Sequence, residues 1–394
     1  VGNPAHGPLL IIVSLPEKFV LFGDAPLCYD PSLPSTQWET LPMPQENEPT
    51  KPSKTDRRNF LRGAWAATAG PVILAGAARV AQAQQGSHEV IVGEGAHRYE
   101  WIEQYLRMPE GKSFGYTHAV QELRDGRILV HSTCEDAVAI FDPDGQFMGS
   151  WGSEYAAGAH GMDYAVEDGQ EFLFLATTEN HKVVKATPDG EKILELGYPE
   201  ESGLYESEAQ YKPTNIAIAS TGDFYVADGY GLHYIHRYGK DGAYKGSFGG
   251  PGNEPHQMNC PHGIAVDRRD GGERLLVADR GHERLQYFDL EGEFIELVRG
   301  RFAHPCHFDF QGDLAVCPGL FGVVCLLDGD NQIVARLGDN PECRAVEGWP
   351  NIAHENRIPG KFSSPHGASF AQDGSILVAE WINDGRITRL KPVA

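Results

Sequence analysis

Cations are scarce in this sequence. Lys and Arg number 33 against 55 Asp and Glu in 394 residues, a formal net charge of -22. A chain so acidic offers no electrostatic footprint to nucleic acid or to an anionic membrane surface, since both require clustered positive charge. Long apolar runs are missing too. The one extended apolar stretch, Ala64 to Ala78, is short and built mainly of small residues, so it does not suit a stable membrane span. No segment sustains a helical period for long, which argues against alternating strand–helix units. Cysteine is sparse at seven. Cys134, Cys260, Cys306, Cys317, Cys325 and Cys343 all lie beyond residue 83, and Cys317 and Cys325 flank a turn, so a disulfide across a hairpin is expected there.

The N-terminal 83 residues read as targeting sequence. Asp56-Arg57-Arg58-Asn59-Phe60-Leu61-Arg62 resembles a twin-arginine export signal, with Asp56 where Ser or Thr is usual. The Ala64–Ala78 stretch follows, and Ala81-Gln82-Ala83 supplies the small-x-small pattern of a signal-peptidase site. Residues 43–83, opening on Met43, are therefore expected to be a signal peptide handed to the twin-arginine translocase. Residues 1–42 are expected to be a non-native extension of the true start. Residues 84–394 are then the mature chain, periplasmic or extracellular, with no membrane anchor.

That remainder is repetitive. Pro261-His262-Gly263 and Pro365-His366-Gly367 are each followed by a strand-like run, a turn and a second strand-like run. Ala159-His160-Gly161 is a third copy, and weaker copies begin at His118, at Pro213-Thr214 and at Pro305-Cys306. Starts spaced by about 40 to 60 residues, each heading several short β-branched and aromatic strands, are the mark of propeller blades. A lone four-stranded blade cannot bury both faces, whereas six around an axis can. The prediction is an all-β, six-bladed propeller over 84–394, its last blade completed by a strand near His88–Val92. The phrases Val277-Ala278-Asp279 and Arg284-Leu285-Gln286-Tyr287-Phe288 make it resemble the NHL-repeat propellers.

In such a ring, the residue ahead of each innermost strand lies at one mouth of the central channel. Here those residues are His118, His160, Thr214, His262, Cys306 and His366. His160, His262 and His366 fall on alternate blades, and three convergent imidazoles suit a divalent transition metal with a position left open. His118 and His307 are expected to lie behind the metal or against substrate. His181, His233, His236, His282 and His304 lie off this register and are expected to be ordinary structural residues. Tyr230 and Arg280 end second strands that open toward the same mouth. The connections 197–210, 249–259 and 338–361 are candidate lid loops, and acids among them are candidate ligands for a structural Ca2+.

At these residues the chain resembles peptidyl-α-hydroxyglycine α-amidating lyases. The resemblance implies Zn2+ on His160, His262 and His366, Tyr230 as base, Arg280 beside it, and cleavage of a carbinolamine into an amide and glyoxylate. Three features depart from that pattern. The first-blade arginine that the family uses for substrate has no match near His131-Ser132-Thr133, Gly231 follows the tyrosine where the family has cysteine, and Leu276 and Tyr287 stand at a family cysteine pair. The functional expectation is an exported metal-dependent lyase acting on a small or peptide-like substrate. The alternative is a non-catalytic periplasmic propeller that binds a ligand or protein partner, a reading that the missing first-blade arginine favours and that Tyr230 lying far from the histidines would favour further.

Overall fold

A computed structural model describes residues 89–393. Targeting features assigned to residues 1–83 lie outside the described residues. The described chain forms six antiparallel sheets. Blade one runs from Thr117–Glu122 to Phe147–Trp151, blade two from Ala159–Glu167 to Lys192–Leu196, and blade three from Asn215–Ile218 to Tyr244–Gly249. Blade four runs from Pro261–Asp267 to Phe294–Arg299 and blade five from Asp309–Gln311 to Ile333–Leu337. The protein is an all-β six-bladed propeller.

Blade six closes the ring with strands from both parts of the chain. Pro365–Phe370, Ile376–Glu380 and Arg386–Pro392 are followed outward by His97–Ile102, with Trp101 opposite Leu390. The closing strand is thus His97–Ile102, not the expected segment near His88–Val92. Ile91–Glu94 instead forms a fifth, outermost strand folded back on His97–Ile102. The reason is side-chain size. Tyr99 and Trp101 alternate inward and bury themselves between blades five and six, which the smaller residues upstream cannot match.

The core is not central. Among the described residues six of its seven apolar clusters are each wedged between neighbouring blades, and the seventh gathers Cys306, Leu320 and Trp381. On Arg274–Asp279, Leu275 and Val277 pack toward blade three while Leu276 and Ala278 pack toward blade five. Side chains alternate along a strand, so a strand sandwiched on both faces must be apolar at every position. Each fully buried Val or Leu of this kind contributes about 1.5–3 kcal/mol.

Cys317 and Cys325 sit opposite one another across the blade-five hairpin, as expected, but their thiols are not joined. Directly opposed residues hold their Cβ atoms about 4.5–5.5 Å apart. A disulfide prefers about 3.8 Å. Cys134, Cys306 and Cys343 are likewise not joined in disulfides.

Candidate active site

Three of the six rim positions, Thr214, His262 and His366, are built by the same local device. An acid ending a second strand accepts hydrogen bonds from the backbone that leads into the neighbouring rim residue. Asp228 accepts from the Lys212 N–H (2.7 Å), Asp279 from the Asn259 N–H (2.8 Å), and Glu380 from the Ser363 N–H (2.7 Å). Two of these acids also grip an arginine of the adjoining third strand: Asp279 holds Arg284 at 2.6 Å, and Glu380 pairs with Arg386. Arg280, the residue after Asp279, turns its guanidinium inward to the Tyr230 hydroxyl.

The His-Gly phrases have a common geometry. His160 Nδ1 donates to the carbonyl of Thr214 at 2.7 Å, His262 Nδ1 to that of Cys306 at 2.9 Å, and His366 Nδ1 to that of His118 at 3.0 Å. In each case the acceptor belongs to the rim of the next blade. The glycine that follows admits that carbonyl. A Cβ on Gly161, Gly263 or Gly367 would stand 2.3, 2.5 or 2.4 Å from the same oxygen. A carbonyl can only accept, so Nδ1 carries the proton and Nε2 presents a lone pair, the arrangement found in histidines that bind metals.

Those three rings converge, with centroids 4.7 to 4.9 Å apart. Burial pushes the imidazoles well below their ordinary pKa, His366 to about 3, so they are neutral lone-pair donors at any physiological pH. His366 Nε2 is buried with no hydrogen-bond partner, so its lone pair is unspent. His118 joins them. Its ring lies 4.7 Å from both His160 and His366. Among the described residues, two sets of possible ligand atoms fall within 4.8 Å of one another: His118, His160 and His366, and His262, Cys306 and His366. The first is all nitrogen and the second nitrogen and sulfur, unlike the oxygen shells that calcium takes.

Tyr230 stands beside this cluster. Its hydroxyl is 3.1 Å from His262 Nε2 and 3.3 Å from His160 Nε2, and it accepts a hydrogen bond from Arg280 at 3.1 Å. Arg280 is 1% exposed and lies over the Tyr230 ring. Burial raises the tyrosine pKa, and the Arg280 guanidinium opposes that rise. So the five residues singled out by register meet in one place.

Two participants had been set aside or overlooked. His118, expected behind the metal or against substrate, lies within the ring cluster itself. Cys306 was only a rim position. His307 pairs with Asn215 one layer down the channel, Nδ1 to Nδ2 at 2.7 Å. The histidines off the register do hold local structure: His181 bonds the Tyr211 carbonyl, His236 bonds Tyr205, and His304 stacks on Phe321.

The three long connections do reach this mouth, since they lead into rim residues, but they are pinned. Tyr205 bonds Asp228 and His236, Arg284 grips the carbonyls of Asn253, Glu254 and Gln257, and Asn351 bonds Tyr116 and Asn383.

No family model matches the chain. It is 26% identical over 277 residues to peptidyl-alpha-hydroxyglycine alpha-amidating lyase 1 of Drosophila melanogaster, spanning 64% of this chain and 48% of that one. It is 28% identical over 167 residues to NHL repeat-containing protein 3 of Homo sapiens, 40% of this chain and 47% of that one. The chain thus spans about half the length of these curated relatives. A streptogramin B lyase structure superposes with a TM-score of 0.51 at 16% identity, covering 76% of this chain and 98% of the other, a likeness of fold.

Proposed function

We propose that the protein is a metal-dependent lyase that cleaves a carbinolamine, of the kind carried by a peptide or acyl group ending in α-hydroxyglycine. The observation that carries this reading is the position of the Tyr230 hydroxyl, within hydrogen-bond reach of His160, His262 and Arg280 together. The similarity to the Drosophila lyase supports it independently. The missing first-blade arginine favours the alternative of a non-catalytic propeller, whereas the adjacency of Tyr230 to His160 and His262 speaks against it.

His160, His262 and His366 fit a divalent transition metal: their Nε2 atoms are lone-pair donors, one of them orphaned, and their tautomers are fixed from behind. Zinc bound there would polarise a substrate oxygen and favour loss of its proton. Tyr230 is placed to take the proton of the substrate hydroxyl and return it to the departing amide nitrogen as the C–N bond breaks. The products of that transfer are an amide and glyoxylate. Arg280 lowers the cost of the phenolate form and offers a charge to the substrate carboxylate. Export through the twin-arginine route remains part of this proposal and rests on residues 43–83.

The test is release of glyoxylate from a short N-acyl α-hydroxyglycine by protein purified without chelator, with metal content measured on the same sample. Activity that tracks metal content and disappears in His262→Ala supports the reading. Metal-free protein that never releases glyoxylate after zinc is restored refutes it.

A further inference from the structure

The rim carries four imidazoles, not three, and the fourth differs from the others in one respect. His160, His262 and His366 each spend Nδ1 on a neighbouring carbonyl. His118, followed by Ala119 in place of glycine, makes no such bond, and its Nδ1 is buried without a hydrogen-bond partner. Folded proteins seldom leave a buried polar atom unmatched unless something else binds there. The unmatched ring also lies beside two of the proposed ligands: its centroid is 4.7 Å from His160 and 4.7 Å from His366, and the three side chains place ligand atoms within 4.8 Å of one another. Meanwhile the Tyr230 hydroxyl occupies the gap between His160 and His262. A cation drawn toward His366 therefore meets His118 as readily as it meets His262.

We propose that His118 is a fourth protein ligand of the metal bound at the rim, which rests on the reading of that rim as a metal site. Cys306, the other extra donor, is already engaged, its thiol pointing to the His304 carbonyl at 3.4 Å. Four imidazoles fill a tetrahedral ion completely. Substrate can then bind only if the ion expands to five or six positions, so the site favours borderline divalent ions that do this with imidazole: five-coordinate zinc, Co2+, Ni2+ or Fe2+.

X-ray absorption of the Zn2+- and Co2+-loaded wild-type protein counts the imidazoles directly, and four are expected. In His118→Ala the count should fall to three, the visible Co2+ bands should intensify as the coordination number drops, and the Zn2+ Kd should weaken by about ten- to a hundredfold. His118→Gln serves where the alanine variant does not fold, and the wild-type count needs no variant. Three imidazoles in the wild type, or a His118 variant with unchanged count and Kd, overturns the inference. If His262→Ala loses the metal in that same experiment, the metal site itself stands. Wild-type protein that binds neither ion removes both.

Discussion

The hydroxyl of Tyr230 and Nε2 of His262 lie 3.1 Å apart, although 32 residues and a blade boundary separate them in the chain. Arg280 completes the contact from the next strand end. The tyrosine is therefore held between a cation and a lone pair, and its removal separates chemistry from assembly.

Tyr230→Phe should lower the turnover of an N-acyl α-hydroxyglycine by about 10²- to 10⁴-fold, the usual contribution of a positioned acid–base group. Metal content should be unchanged, and unfolding free energy should fall by about 1 kcal/mol or less. Glyoxylate release, metal analysis and urea denaturation on one preparation check all three.

Arg280→Gln keeps a hydrogen-bond donor but removes the charge that opposes the burial-driven rise of the tyrosine pKa. With that charge gone, the phenolate requires a higher pH. The pH–rate profile should shift to the alkaline side, and kcat should fall at neutral pH. An unshifted profile would show that the guanidinium does not act on Tyr230.

Gly263→Ala should destabilise the protein by about 1–3 kcal/mol, because the new Cβ would stand 2.5 Å from the Cys306 carbonyl that holds His262. Metal affinity should weaken with it. Gly272→Ala, where nothing lies within 4 Å, is the control and should be close to neutral. Chemical denaturation of the two variants side by side distinguishes crowding from a general intolerance of substitution.

Asp163 and Asp309 each lie three residues past a rim position, on blades two and five. Burial pushes Asp163 up to about 7, with Asp309 adding to the rise and Arg268 opposing it, and burial pushes Asp309 up to about 6. A carboxyl whose pKa is higher in the folded state stabilises the fold while protonated, and that stability is lost as pH rises from about 4 through its folded value. Asp163→Asn cannot ionise. Its stability relative to wild type should thus improve between about pH 4 and pH 7, by on the order of 1–2 kcal/mol after solvent screening. Melting temperatures of both proteins across that range measure the difference.

Much of the fold was legible because each blade repeats the same solution. Val277-Ala278-Asp279 is apolar at every strand position since both faces are covered, and it ends in an acid because that acid must hold the incoming loop. The closing strand was misplaced for the opposite reason. Both Ile91–Glu94 and His97–Ile102 have strand character, and only the fit of Tyr99 and Trp101 between two blades selects one of them. Likewise, register brought six residues to the rim, but not the direction in which each side chain turns there.

The sequence by itself determined the number of blades, the rim register and the His-Gly phrase, because those follow from local spacing and from a backbone approach that only glycine allows. The tertiary structure alone decided that His118 joins the cluster, that Arg280 turns toward Tyr230, and that Cys317 and Cys325 stay apart. Such outcomes depend on distances of a few ångströms between different blades, and no local pattern encodes them.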